Sequence, residues 1–269
     1  MHPYITGMGQ GVTCLDEPVP DDLDPNGRIA LVTGANKGIG YATAAGLAKL
    51  GMTVLLGARN ELRGKEAAAA LRAEGLSVSP LLIDVSDDGS VSRAAAEIDE
   101  RHGKLDVLVS NAAVKLEWHP SPPSEQSLDM VRETFETNVF GTIRVLLATI
   151  PLLRRSDAPR IVTVSSGLGS LTWATTPGTA YFPLAMLSYP PSKAALNSVT
   201  VQFANELRDT PFKINVADPG YTDTDMTTND SGSTSRTPER AAQVIIRLAT
   251  LPADGPTAGY FDSRGEVPW

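Results

Sequence analysis

The sequence predicts an α/β chain in which parallel strands form a central sheet with helices packed on both faces. Three observations carry that prediction. Short apolar runs recur with little apolar–polar alternation, the pattern of strands covered on both sides. Stretches of helical composition, several of them closed by glycine, lie between those runs. The first apolar run empties into a glycine-rich turn, TGANKGIG at 33–40, that leads directly into a helix. Right-handed crossovers between successive parallel strands then give a doubly wound, three-layer domain.

Each element follows from its own stretch of chain. Residues 1–27 contain Gly7, Gly9, Gly11, Pro18, Pro20 and Pro25 without a clear period, so they are read as an acidic extension, partly mobile or draped on a domain that spans 28–269. RIALVTG is the first strand, and GIGYATAAGLAKL is a helix that stops at Gly51. TVLLGA (53–58) is a strand and ELRGKEAAAALRAEG (61–75) a helix. VSPLLIDV (78–85) is a third strand, broken early by Pro80, and SVSRAAAEIDERHG (90–103) a helix. KLDVLVSN (104–111) is the fourth strand; a proline-rich loop then leads to one long helix, SLDMVRETFETNVFGTIRVLLATIPLL. RIVTVSS (160–166) is the fifth strand, a helix starts at YPPSK, and FKINVADPG (212–220) is the sixth strand. A polar loop leads to the last helix, RAAQVIIRLAT. Three loops, at 114–126, 167–188 and 221–237, are left to shape a substrate site.

Composition narrows the function. A chain of 269 residues with 42% hydrophobic side chains supports a sizeable core, and a formal charge of −8 argues against binding nucleic acid or an anionic membrane. Much of that charge comes from Asp16, Glu17, Asp21, Asp22 and Asp24. A single cysteine, Cys14, permits no internal disulfide, and no basic-then-apolar leader opens the chain, so a cytoplasmic setting is expected. The longest strongly apolar run, 145–153, is short of the ~20 residues a bilayer span requires. The three histidines, His2, His102 and His119, have no ligand spacing, and no metal is expected.

Two motifs carry chemistry. In TGANKGIG, Gly34, Gly38 and Gly40 permit a tight turn and close backbone approach, and the helix that follows presents unpaired N–H groups to an anion such as a pyrophosphate. In SYPPSK, Tyr189 and Lys193 stand four apart and so share a helix face. The two prolines fit a helix that begins on the tyrosine, because first-turn N–H groups have no helical partner to lose. A free phenol titrates near ~10, and a neighbouring ammonium favours the phenolate by ~1–3 units, which makes the pair a candidate proton donor and acceptor.

TGANKGIG, SNAA (110–113), NVFG (138–141), VSS (164–166), YPPSK (189–193) and PGYTDT (219–224) occur in an order that resembles the short-chain dehydrogenase/reductase family, over about residues 28–263. The resemblance implies a Rossmann-type domain with a mostly parallel, seven-stranded sheet and a nicotinamide cofactor. Its contacts would fall on Gly34, Asn36, Lys37, Gly38, Ile39 and Gly40, on Arg59 and Asn60, on Asp84 and Val85, on Asn111, Ala112 and Ala113, on Tyr189 and Lys193, and on Pro219, Gly220, Thr222 and Thr224. Asp84 is also a fitting N-cap for the helix that follows it. Where the family's NAD-binding members carry an acid, this chain has Ala58 followed by Arg59; with Lys37 this favours a 2′-phosphate, hence NADP(H). Ser110 and Ala113 depart from the family's frequent Asn-Asn-Ala-Gly.

The same resemblance makes Tyr189 the general acid, Lys193 its partner and a ribose ligand, Ser166 the substrate-oxygen ligand, and Asn138 a helix-bending residue that holds a water for a proton relay. Ser165 is disfavoured because alternation along a strand sends it to the other face. The insert between Ser166 and Tyr189 is longer than usual and looks like the carbonyl reductase branch. It brings Trp173, Tyr181, Phe182 and Met186 toward the site, with Tyr221 and Met226 in a lid. The four insert residues either fill a local core or wall a pocket for a bulky ketone or aldehyde. The expected activity is reversible NADPH-dependent carbonyl reduction of a small molecule, without metal. An oxidising alcohol or hydroxysteroid dehydrogenase and a non-catalytic NADP(H) sensor are the alternatives. Monomer and homo-oligomer both stay open.

Overall fold

The computed structural model describes residues 26–117, 121–226 and 235–269, so nearly all of the N-terminal extension and parts of two of the three loops lie outside the described residues. Its strands are β1 (Ile29–Val32), β2 (Thr53–Ala58), β3 (Val78–Leu82), β4 (Val107–Ser110), β5 (Arg160–Val164), β6 (Lys213–Ala217), β7 (Tyr260–Asp262) and β8 (Gly265–Glu266). They form one sheet in the order β3-β2-β1-β4-β5-β6-β7-β8. Every pairing is parallel except β7 with β8. The sheet therefore has eight strands, not the seven expected. The additional one is a two-residue return that pairs antiparallel with β7, too short to show any period in sequence.

Successive strand residues serve opposite faces. Ala30, Val32, Val54, Leu56, Val107, Val109 and Val162 belong to one core cluster; Leu31, Leu55, Leu108, Ile161 and Ile214 belong to the other. Burial of both faces explains why these segments read as continuous apolar runs. The first face is covered by α1 (Gly38–Lys49), α2 (Glu61–Ala73) and α8 (Pro238–Ala249). The second packs against α3 (Asp88–His102), α5 (Gly141–Leu153) and α7 (Tyr189–Glu206). A short helix, α6 (Leu171–Thr175), lies in the insert between β5 and α7.

The long helix predicted before β5 is not regular. It runs as α4 (Leu128–Phe135), a π-helical turn at Glu136–Phe140, then α5. A π turn widens the backbone ladder by one residue, and here it contains Asn138. The whole run, Leu128–Leu153, is long and apolar enough to cross a bilayer by length and composition, although its most apolar nine residues alone are not. More than half of its apolar window, 56%, is buried inside the fold, as in a core helix. The cap of α3 also differs from the sequence expectation: Asp87, not Asp84, accepts the Ser90 amide.

Leu108 sits in the central strand β4 with no exposed surface, so Leu108→Ala leaves a cavity that the sheet cannot close. It should lower unfolding stability by about 2–5 kcal/mol, read as a fall in urea midpoint at unchanged slope.

Candidate active site

Strand order reverses between β1 and β4, and chain ends that diverge there leave a crevice at the C-terminal edge of the sheet. The glycine turn lies at this edge. Gly34 (φ 63°) and Gly38 (φ 57°) both occupy the left-handed region. A methyl group on Gly34 would come within 2.9 Å of Ala112 Cα, and one on Gly40 within 2.5 Å of both Asn111 Nδ2 and the Gly34 carbonyl. Asn111 donates its side-chain amide to the carbonyls of Thr33 (2.9 Å) and Gly34 (3.2 Å). The Thr33 hydroxyl in turn accepts from the amides of Asn111 and Ala112, each at 3.0 Å. Asn111 thus spends its side chain on shaping the turn. The start of α1 has an extended Lys37 at its N-cap, no side-chain cap bond and no acid in its first turn. The amides of Gly38, Ile39 and Gly40 have no helical acceptor there, which suits an anionic ligand. Thr224 lies beside this turn, its methyl 3.3 Å from where a Gly38 Cβ would be.

Beyond the turn is an open groove of about 470 Å³ lined by Asn36, Lys37, Tyr41, Arg63, Glu66, Ala67 and Asp225. Arg63, in the first turn of α2, had no motif to mark it in sequence, yet it shares this groove with Lys37. Lys37 is paired with Asp225, which holds the Asp225 carboxyl below its usual value. Arg59 and Asn60 are exposed after the buried Ala58. Asn60 Oδ1 accepts the Arg63 amide (2.9 Å) and caps α2, so its side chain serves the helix. Asp84 accepts from the amide and hydroxyl of Ser86 (3.0 and 2.6 Å). That bonding, with help from the charge of Arg59, holds Asp84 below its ordinary value despite partial burial. Val85 is buried against Gly141.

Deeper in the crevice, Tyr189 and Lys193 are both buried, one turn apart at the start of α7. Lys193 Nζ donates to the Val164 carbonyl at the end of β5 (2.9 Å) and lies 5.5 Å from the Tyr189 ring centre. The Ser166 hydroxyl, which accepts the Leu168 amide (3.3 Å), lies near enough to the Tyr189 phenol to favour its ionised form. Asn138 accepts the Val114 amide (2.8 Å) and donates to the Val114 carbonyl (2.9 Å) and to Ser192 Oγ (3.0 Å). Ser192 Oγ donates to the Tyr189 carbonyl (2.7 Å). Asn138, Ser166, Tyr189 and Lys193 therefore form one connected cluster. Pro219 and Gly220 follow β6 beside it; Thr222 is buried, and its hydroxyl donates to the Gly220 carbonyl (2.9 Å).

The electrostatics differ from the sequence expectation. Burial pushes the Tyr189 phenol well above its ordinary value, the nearby Asp218 adds to the shift, and the neighbouring Ser166 hydroxyl opposes it. The net shift is upward: burial, not the neighbouring ammonium, sets the phenol's resting value. Burial also lowers Lys193 itself from 10.5 to about 8, against the pull of Asp218. Asp218 is buried and raised in turn, with the amides of Gly220 and Gly167 opposing that rise.

Of the expected pocket residues, Trp173 and Tyr181 stack at 5.1 Å, with their rings within 1° of parallel. Both lie against Gly167, where a methyl would meet the Tyr181 hydroxyl at 2.5 Å; they flank the Ser166 turn. Phe182 is exposed, and Met186, Tyr221 and Met226 are half-buried. Three further residues bear on the site without having been found in sequence. Asp218 precedes Pro219-Gly220. Tyr260 donates its hydroxyl to the Ser166 carbonyl (2.5 Å). Arg236 lies 2.8 Å from where a Gly220 Cβ would be and donates to the Pro219 carbonyl (3.3 Å). An acid beside a strand-ending Pro-Gly was a visible signal for Asp218; the other two are made by long-range packing.

The Lys193 shift has a testable sign. The folded lysine loses its proton near 8 and the unfolded one near 10.5. Between those values the unfolded chain holds more protons, so stability rises with pH. The raised tyrosines oppose this only above about 10. From about pH 8 to about pH 10 the melting temperature of the wild type should therefore rise relative to that of Lys193→Met; parallel curves would show that Lys193 is not titrating there.

The short chain dehydrogenase family matches residues 28–234. A short-chain dehydrogenase of Penicillium roqueforti is 34% identical over 82% of this chain and 88% of its own length. Among solved structures, menthone neomenthol reductase of Mentha piperita superposes with a TM-score of 0.71 at 30% identity, over 88% of this chain and 98% of that one. An alcohol dehydrogenase of Thermococcus sibiricus complexed with 5-hydroxy-NADP gives 0.72 at 27% identity, over 88% and 96%. With a glycine turn at the sheet's switch point, a Ser-Tyr-Lys-Asn cluster and a family match over most of its length, the chain belongs to the short-chain dehydrogenase family.

Proposed function

We propose that the chain reduces a ketone or aldehyde to an alcohol, with NADPH as the cofactor. The observation that carries this reading is the cluster in which the Ser166 hydroxyl stands close to the buried Tyr189 phenol and the buried Lys193 ammonium. A phenol held above its ordinary pKa keeps its proton at neutral pH, which is the state a proton donor to a reduced carbonyl requires. The names of two structural neighbours, a menthone neomenthol reductase and an alcohol dehydrogenase with a bound NADP derivative, support the same reading.

The residues present fit a dinucleotide. Two left-handed glycines and a helix start without a side-chain cap suit the pyrophosphate. Ala58 in place of an acid, with Arg59, Arg63 and Lys37 nearby, suits a 2′-phosphate. Lys193 would hold the nicotinamide ribose, Asp84 and Val85 the adenine side, and Pro219, Gly220, Thr222 and Thr224 the nicotinamide end. When bound and reduced, such a cofactor supplies a hydride to a carbonyl carbon.

The chain's own part is positioning and proton transfer. Ser166 Oγ and the Tyr189 hydroxyl both donate to the substrate oxygen and polarise it. As charge develops on that oxygen, Tyr189 gives up its proton and the alcohol forms. Lys193 is protonated below about 8, so at neutral pH its charge stabilises the resulting phenolate. Trp173 and Tyr181 wall the side of the site next to Ser166, and Phe182, Met186, Tyr221 and Met226 would line its mouth. An apolar wall of this kind suits a bulky hydrophobic carbonyl compound.

NADPH consumption against a panel of ketones, aldehydes and quinones tests the activity. Tyr189→Phe should lower kcat by about 10²-fold or more with cofactor affinity kept; retained turnover would refute the assigned acid. Arg59→Asp with Arg63→Ser should raise KM for NADPH by about tenfold while moving KM for NADH by less than about threefold. Equal change in both would remove the case for NADPH.

A further inference from the structure

Glu117 is a carboxylate that the reaction does not use, yet only 2% of its surface is exposed. Its two oxygens are fully engaged at the start of α7. Oε1 accepts the Leu187 amide at 3.0 Å. Oε2 accepts the Ser188 amide (3.0 Å), the Ser188 hydroxyl (2.8 Å) and, more weakly, the Tyr189 amide (3.4 Å). A glutamate 72 positions upstream therefore holds the backbone of the tyrosine assigned as the proton donor.

The sequence of α7 explains why an outside acceptor is needed. Pro190 and Pro191 have no N–H to place, and the Ser192 amide already reaches the Ser188 carbonyl (3.1 Å). The donors left at this end are those of Leu187, Ser188 and Tyr189, and Glu117 takes all three. Ser188 occupies the N-cap position but makes no cap bond to its own helix, because its hydroxyl goes to Glu117. By contrast, α2, α3 and α8 are capped by the residue that precedes them, Asn60, Asp87 and Thr237. A negative charge at a helix start is also favoured by the helix dipole, which offsets part of the cost of burying it.

The geometry points to Glu117 as the positioning residue for the Tyr189 phenol. This deepens the carbonyl reductase reading and rests on it. Tyr189 is the first residue of its helix, where the backbone would otherwise fray, and two anchors fix it. Glu117 takes its amide, and the Asn138–Ser192 pair takes its carbonyl. Release of the first anchor frees the ring to swing from the substrate oxygen, and misplacement of about 1 Å costs about 10²-fold in rate. The cofactor-binding turn is a separate segment and keeps its shape.

Glu117→Ala and Glu117→Gln, with Tyr189→Phe as control, test this through kcat, KM and NADPH affinity on the best ketone of the panel. Glu117→Ala should lower kcat by about 30-fold or more and leave NADPH affinity within about twofold. Glu117→Gln retains one acceptor oxygen and should fall between, with a loss of about three- to tenfold. Wild-type kcat in the alanine variant overturns the proposal, as does a loss of NADPH affinity in step with kcat. Should the alanine variant not fold, the glutamine variant decides: a loss of at least about threefold in kcat with NADPH affinity kept upholds the role, and unchanged kcat overturns it. Retained turnover in Tyr189→Phe marks a different failure, that of the reductase reading itself, and takes the role of Glu117 with it.

Discussion

The contact between Lys193 Nζ and the Val164 carbonyl, 2.9 Å long, is the one on which the candidate site depends. Burying an ammonium costs several kcal/mol in effective terms, and the lowered pKa of Lys193 shows that the cost is only partly met. What the contact achieves is placement. It ties the first turn of α7 to the end of β5, so that Ser166, which leaves β5, meets Tyr189, which begins α7. Asp218 at the end of β6 supplies the compensating field. The same burial that strains the lysine keeps the phenol protonated. One desolvated pocket therefore sets both groups, in opposite directions, as desolvation must for a cation and for an acid.

A single stretch of chain, 111–117, joins the parts of the site. At its start Asn111 shapes the glycine turn through Thr33 and Gly34. Val114 bonds Asn138 in both directions, which gives the amide of the π turn a fixed partner. Glu117 at the end holds the start of α7. The stretch has no regular secondary structure, yet each anchor is a partly or fully buried polar group with a defined acceptor or donor, and such groups are costly to leave unpaired. One short stretch thus contacts the glycine turn, the π turn and the start of α7 in succession. The π turn itself follows from this. Asn138 reaches out to Val114 and Ser192, and the widened helix backbone accommodates that reach.

Much of this was legible in sequence because its physical basis is local. Doubly buried strands gave continuous apolar runs, and β2 matched its predicted span residue for residue. The glycine turn was readable from three glycines, two of which adopt positive φ. The helix starting on Tyr189 was readable from prolines that only a first turn tolerates. What escaped is non-local. Glu117 and Tyr260 act on partners some 70 and 94 residues away, and Arg63 joins Lys37 only through the packing of α2 beside the glycine turn. The direction of the Tyr189 shift escaped for another reason: spacing places an ammonium near a phenol but says nothing of how dry the pocket is. The cap of α3 shows the limit of local reading, since Asp84 and Asp87 are both acids close to the helix start and only the geometry chooses Asp87.

Under the proposed NADPH binding, the groove lined by Lys37, Arg63 and Asp225 poses a charge problem. Asp225 lies in the groove where a 2′-phosphate would sit, and a carboxylate there opposes an anionic ligand. Its partner Lys37 is 58% exposed and Asp225 itself 74%, and exposed pairs of this kind contribute only about 0–1 kcal/mol. A phosphate carries more charge than a carboxylate at neutral pH, and an arginine grips it through paired hydrogen bonds. Exchange of the Lys37–Asp225 pair for Lys37 and Arg63 on phosphate is therefore favourable on magnitude. Asp225 follows Thr224, whose methyl lies against Gly38, so the segment that lends Lys37 its carboxylate also borders the pyrophosphate turn. In the proposed NADPH complex, the phosphate would take the place of this carboxylate on Lys37, and the weak pair would cost little to break.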